Sequence, residues 1–139
     1  MSSLLSKKNM TEEDIKLRYI TPAITAKWNV ENITMETQIT DGQYNLRGNI
    51  ASRGPAKRAD YLLYINANNP IAVVEAKDNN RSISHGLQQA MAYAQMLDLP
   101  FAYSSNGDGF AEHDFLTGKE RILQLNEFPS QAEIGRAHV

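Results

Sequence analysis

Three residues offer the clearest chemistry in this sequence: Asp60, Glu75 and Lys77. Glu75 and Lys77 flank Ala76 and directly follow the apolar run Ile71-Ala72-Val73-Val74. A continuous apolar run set off by Pro70 predicts a strand buried on both faces. Side chains alternate along a strand, so Glu75 and Lys77 point the same way, with the small Ala76 inward between them. An E-x-K triplet by itself is commonly a solvated strand end. Here it caps a buried strand, where an unpaired charge is costly. Asp60 opens the preceding strand, 59–65, and a short turn over 66–70 folds the two into a hairpin that brings Asp60 to Glu75. Two carboxylates on neighbouring strands suit a hard ion such as Mg²⁺, which takes one or two carboxylates and completes its shell with waters and phosphate oxygens. Such an ion lowers the pKa of a bound water and neutralises charge on a phosphate, and a lysine beside it orients that water or stabilises the anionic transition state.

The elements that must position these residues follow from periodicity. Thr11 reads as an N-cap with Asp14 at N3, a variant of the capping box, and opens a helix over 12–28. Its apolar stripe is Ile15, Tyr19, Ile20, Ile24 and Trp28, and Pro22 kinks or splits it. Met35, Thr37 and Ile39 alternate with polar neighbours, which predicts a half-buried strand over 33–40. Asp41-Gly42 signals a turn into a second strand over 44–50, and 48–57 reads mostly as loop. The strongest helix signal is 82–99, with Ser82 as its cap, Ile83, Leu87, Ala90, Met91, Ala94 and Leu97 as its stripe, and Pro100 as its end. Gln89 and Tyr93 share one face of it at i, i+4. Short strands follow at 101–104 and 110–115, separated by the turn Asn106-Gly107-Asp108-Gly109, with a further turn at Thr117-Gly118. Hairpins on either side of a helix that crosses between strands 71–77 and 101–104 make a mixed α/β domain. Residues 131–139 carry no clear pattern and read as a loose tail, so the domain is placed at 1–130.

With these motifs in order, the chain resembles the PD-(D/E)XK nuclease superfamily, in the form found at the N-terminus of the restriction (R) subunit of type I restriction enzymes. The resemblance rests on KRADYLLY around Asp60, PIAVVEAK around Glu75 and Lys77, GLQQAMAYA with its Q-x-x-x-Y, YSSNGDGFAEHDFLTG after it, and the opening TEEDIKLRYITPAITAKW. It covers roughly 11–125. It implies a restriction-endonuclease-like mixed β-sheet flanked by helices. It implies metal-dependent hydrolysis of DNA phosphodiester bonds, with Asp60 and Glu75 as ligands of Mg²⁺ (Mn²⁺ as an alternative) and Lys77 as the catalytic lysine. Gln89 and Tyr93 would match the family's auxiliary pair, holding DNA or the geometry of the site. The first-helix carboxylate would be Glu12, with Glu13 as the competing register. The superfamily's proline before the aspartate is replaced here by Ala59.

Bulk properties narrow the setting. The chain has 139 residues, 42% hydrophobic and 22% charged, enough for one compact domain with a real core. It has no cysteine, which removes disulfides and thiolate metal sites and makes a reducing cytoplasm the expected compartment. No apolar run reaches the roughly 18 residues of a membrane span, and the first residues lack a signal-peptide core. His85 and His113 have no third partner at ligand spacing. The formal net charge of −2 lacks the basic surplus of a free-standing DNA binder. That points to weak binding alone and to delivery of double-stranded DNA by partners, which the resemblance implies are methyltransferase and specificity subunits. No G-x-x-x-x-G-K-[ST] occurs, so ATP would belong to a motor elsewhere in a longer protein. The leading expectation is a type I deoxyribonuclease domain. The alternative is a non-catalytic DNA-binding or assembly module of the same fold, and a weaker one is action on RNA or branched DNA.

Overall fold

The structure is a computed structural model that describes residues 6–40, 43–45 and 57–138. The expected turn at Asp41-Gly42 and most of the loop expected over 48–57 lie outside the described residues. Among the described residues, seven strands form one sheet: β1 (Ile33–Thr40), β2 (Gln43–Asn45), β3 (Lys57–Asn66), β4 (Asn69–Ala76), β5 (Phe101–Ser105), β6 (Phe110–Asp114) and β7 (Lys119–Leu123). Their spatial order is β2-β1-β3-β4-β5-β6-β7. Of these described strand pairs, β4–β5 is parallel and the others are antiparallel. Parallel neighbours need a crossover, and the helix α3 (Leu87–Leu97) supplies it. This is the expected mixed α/β sheet flanked by helices. No described helix is long and apolar enough to cross a membrane.

The sheet is covered on both faces. On one face Tyr61, Leu63, Val74, Tyr103 and Phe110 pack with Ile15, Ile20, Ile24 and Trp28 of the N-terminal helical segment, and with Phe128 and Ile134. On the other, Leu62, Tyr64, Val73 and Ala102 pack with Ala90, Tyr93 and Ala94 of α3. Val73 and Val74 thus face opposite layers, which is why β4 needs the unbroken apolar run read from the sequence.

The first helical segment does not run evenly over 12–28. It is α1 (Glu12–Ile15), a π-helical stretch over Lys16–Ile20, and α2 (Thr21–Thr25). Thr11 caps it with a complete capping box, its hydroxyl accepting from the Asp14 N–H. The Thr21 N–H donates to the Lys16 carbonyl five residues back, one residue more than in an α-helix. Pro22 follows at once; it has no N–H and crowds the preceding turn, and the wider turn lets the chain continue past it. The inserted residue explains why Ile15 and Ile20, five apart, are both fully buried.

Several local expectations are corrected. In β1, Thr37 and Ile39 are buried but Met35 is 45% exposed. Glu36 between them has φ +53, a left-handed residue that breaks the alternation. Helix α3 begins at Leu87 with Gly86 as N-cap, not at Ser82. The Ser104 hydroxyl accepts the Gly86 N–H at 3.0 Å and donates to the Ile83 carbonyl at 2.8 Å, so a tertiary contact holds 82–86 as turns. Residues 131–138 are not patternless: they form α4 (Gln131–His138), and Ile134 is buried. Strand β7, a mostly exposed edge strand, extends the sheet beyond the strands read from the sequence.

Candidate active site

The site grows from the β3–β4 hairpin. Its register pairs Tyr61 with Val74, which sets Asp60 across from Glu75. Each carboxylate is locked by the opposite strand's backbone. The Asp60 N–H donates to Glu75 Oε2 at 2.8 Å, and the Ala76 N–H donates to Asp60 Oδ2 at 2.8 Å. One oxygen of each is thereby fixed, leaving Asp60 Oδ1 and Glu75 Oε1 outside those two bonds. Glu75 is buried and Asp60 only 14% exposed. Burial, then the Asp60 charge, push the Glu75 carboxyl up to about 8, against the lowering effects of the Asp60 N–H and Lys77.

Lys77 continues the parallel ladder, its N–H donating to the Ser105 carbonyl at 2.9 Å. Both Glu75 and Lys77 abut Gly86: a Cβ there would lie 3.3 Å from Lys77 Cε, 3.5 Å from Glu75 Cβ and 3.0 Å from Ser104 Oγ. A glycine at this N-cap lets the start of α3 approach the Glu75 and Lys77 side chains closely. The turn after β5 braces the same loop. Asn106 donates from Nδ2 to the Arg81 carbonyl at 2.7 Å, and Asn79 donates to the Asn106 carbonyl at 2.9 Å. Gly107, at φ +91, leaves no room for a Cβ, which would come within 2.9 Å of Ile15.

The other expected residues divide. Tyr93 is buried on α3; burial and the charges of Glu75 and Asp60 raise its hydroxyl, opposed by a hydrogen bond to the Arg58 backbone. Gln89, one turn earlier, stands exposed. Glu12 is half-buried, and its carboxyl is raised by burial and then by Asp60, with Lys77 and Lys16 acting to lower it. Glu13 instead accepts a hydrogen bond from Lys16 Nζ at 3.0 Å. Of the two registers left open, Glu12 is the one in the field of Asp60 and Lys77. His113 bonds Glu120 at 2.7 Å, away from this cluster.

Lys16 and Glu36 are absent from the sequence reading. Lys16 is 2% exposed, with Nζ 3.7 Å from Asp60 Oδ1 and 3.9 Å from Glu36 Oε1. Burial lowers its pKa, but the Glu13 hydrogen bond and the charges of Asp60 and Glu36 outweigh that, and the ammonium is held above its ordinary value. A signal existed: Lys16 extends the buried series Ile20, Ile24, Trp28 backward by four, a place that pattern reserves for an apolar residue.

Among the described residues, no group of three or more His, Cys, Asp or Glu forms a ready-made metal-ligand set. The donor set at the hairpin is two carboxylates, each with an oxygen to offer, which fits an ion that keeps most of its waters. A cavity of about 470 Å³ lies elsewhere, lined by Tyr103, Glu112, Arg121, Glu133 and Ile134 among others.

Comparison with known proteins gives a consistent result. Residues 22–129 match the family model described as type I restriction enzyme R protein N terminus. The chain is 40% identical over 136 residues to the type I restriction enzyme EcoAI endonuclease subunit of Escherichia coli, covering 94% of this chain and 17% of that one. It is also similar to a solved fragment of an HsdR subunit of a type I restriction enzyme from Vibrio vulnificus YJ016, with TM-score 0.76 and 41% identity over 91% of this chain and 25% of that one. The chain thus spans about a fifth of the relatives it matches. With the sheet and the matches in agreement, the chain belongs to the N-terminal family of type I restriction enzyme R proteins.

Proposed function

We propose that this chain is the nuclease module of an R subunit, of the PD-(D/E)XK type, hydrolysing DNA phosphodiester bonds with Mg²⁺. The observation that carries this reading is the reciprocal locking of Asp60 and Glu75, which fixes one oxygen of each and leaves a second for an ion. Burying two facing carboxylates has no structural benefit of its own, since it drives one toward protonation. Asp60 and Glu75 would hold the ion. Bound there, Mg²⁺ supplies an acidified water and neutralises phosphate charge. Lys77, on the Glu75 side of β4, directs its ammonium at the attacking water or at the charge growing on the phosphate. Tyr93 secures β3 near Arg58, and Glu12 adds negative potential from the first helix. Gln89, exposed near the start of α3, would contact DNA. The net charge of −2 makes the affinity of the lone chain for DNA low, so methyltransferase and specificity subunits would present the duplex, and ATP use would lie in the remainder of a longer protein.

Calorimetric titration with Mn²⁺ or Mg²⁺ and a cleavage assay in the assembled enzyme test this together. Asp60→Ala and Glu75→Ala should lose ion binding and cleavage. Lys77→Ala should keep the ion and lose at least about a hundredfold in rate, the scale of one positioned charge or donor. An Asp60→Ala chain that binds the ion as wild type does, or a Lys77→Ala enzyme that cuts at near wild-type rate, would defeat the reading. Efficient cutting by the isolated chain at physiological salt would defeat the inference from its charge.

A further inference from the structure

Three irregular features converge beside the carboxylate pair. Lys16 places an ammonium where only 2% of the side chain meets solvent. The helix is π-wound from that same residue. Glu36, which the β1–β3 register sets opposite Asp60, holds a left-handed backbone without being glycine. Each is unfavourable alone: a buried ammonium loses its hydration, π-turns are rare, and a left-handed non-glycine residue is strained. Together they bring one cation among three carboxylates. Its hydrogen bond goes to Glu13 at 3.0 Å, while Asp60 Oδ1 lies at 3.7 Å and Glu36 at 3.9 Å. The oxygen it faces is the one that the Ala76 N–H does not use.

We propose that Lys16 is the built-in counter-ion of this site. It positions Asp60 by holding Oδ1 toward the first helix, and it competes with an added divalent cation for that oxygen. Glu13 and Glu36 set the balance, because each draws the ammonium away from Asp60. The competition rests on the nuclease reading above; the counter-ion role does not. Like charges a few ångströms apart in a partly buried site repel strongly enough to change an ion's affinity by an order of magnitude. Lys16 is therefore a positioning residue whose loss tightens ion binding while loosening Asp60.

The test is Mn²⁺ titration of the 139-residue chain, with thermal or urea unfolding of the same proteins in chelator. Lys16→Met should bind Mn²⁺ about tenfold more tightly, and the gain should persist at about 0.5 M salt, where exposed charges are screened. Lys119→Met, remote on β7, should leave the affinity unchanged. If Lys16→Met does not fold, Glu13→Gln on the exposed side should weaken Mn²⁺ binding, because it releases the ammonium toward Asp60. Unchanged affinity in the folded Lys16 or Glu13 variant at high salt overturns the competition. In unfolding, replacing Asp60 by Asn should become more favourable once Lys16 is Met; additive effects overturn the counter-ion role. If wild type and Asp60→Asn bind Mn²⁺ alike, or not at all, the nuclease reading falls and the competition with it, while the unfolding cycle still decides whether Lys16 is the counter-ion.

Discussion

Two buried glutamates in this sheet have opposite surroundings. Glu75 on β4 and Glu112 on β6 are 6% and 5% exposed. Glu112 is met by partners: the Tyr103 hydroxyl donates to Oε2 and Arg121 Nε to Oε1, both at 2.6 Å. Glu75 receives one backbone N–H and faces another carboxylate. Depth of burial is the same, so burial alone does not mark a site. The difference is that Glu112 has its charge and both oxygens satisfied by the fold, whereas Glu75 has been given a like charge and an oxygen to spare. A carboxylate that the protein leaves in conflict is one that a cation can resolve.

The sharpest way to break this comparison is pH. Glu75 is raised from 4.5 to about 8 by burial and by Asp60, so folding favours its protonated form. Its contribution is fully present below 4.5 and is lost as pH rises toward 8. Stability in chelator should fall over that window by at most about 1.4 kcal/mol per pH unit from this group. Glu75→Gln is neutral throughout and keeps an oxygen for the Asp60 N–H. Its stability relative to wild type should therefore grow across the window and level off above it. Urea unfolding at a series of pH values reads this directly, and a difference that stays flat from pH 4.5 to 8 would mean that Glu75 is not in conflict.

Glu112 should respond with the opposite sign. Glu112→Leu leaves the fully buried Tyr103 hydroxyl without its acceptor and should destabilise by about 2 kcal/mol at neutral pH. Tyr103→Phe should cost less in that background than in wild type, which separates a lost hydrogen bond from lost packing. If Glu112→Leu proves neutral while Glu75→Gln stabilises, the Tyr103–Glu112–Arg121 group contributes nothing and the contrast reduces to one residue.

Much of the Glu75 half of this contrast is legible in the sequence. Pro70 and the unbroken Ile71–Val74 run mark β4 as a central strand, and strand alternation then places Glu75 and Lys77 together. The parallel crossover follows, because a helix separates two short apolar runs. What was hidden depends on contacts between distant segments. Ser82 looks like a helix cap, but Ser104, eighteen residues beyond Gly86, captures that backbone instead. Met35 fits the alternation of β1 until Glu36 turns left-handed. Strand β7 lies at the edge of the sheet with four of its five residues exposed, so it carries no apolar alternation to detect. Helix α4 is anchored on the sheet by Ile134. Lys16 is hidden because a lysine in an apolar series reads as an exception, when its carboxylate partners come from β1, β3 and its own helix.

The smallest effect sets the lower bound of the comparison. Lys7 pairs with Asp108 at 2.8 Å, donates to the Gly107 carbonyl at 2.8 Å and lies 4.0 Å over the Tyr19 ring. Burial raises the Asp108 carboxyl, but the Lys7 and Asn79 hydrogen bonds and the nearby lysines outweigh it and hold it below its ordinary value. Unlike Glu75, this group stabilises the fold above its unfolded pKa and loses that contribution as pH falls through the folded one. Asp108 is 45% exposed, so water screens the pair. Lys7→Ala should cost no more than about 1 kcal/mol at neutral pH and low salt, and less at high salt. Its cost should also begin to shrink once pH falls below the ordinary value of 3.8 and keep shrinking toward the lowered folded pKa, which is the reverse of the Glu75 profile. Measured by urea unfolding at pH 7 and pH 3, a cost that does not shrink on acidification would place the role of Lys7 in its contacts to Gly107 and Tyr19 rather than in the ion pair.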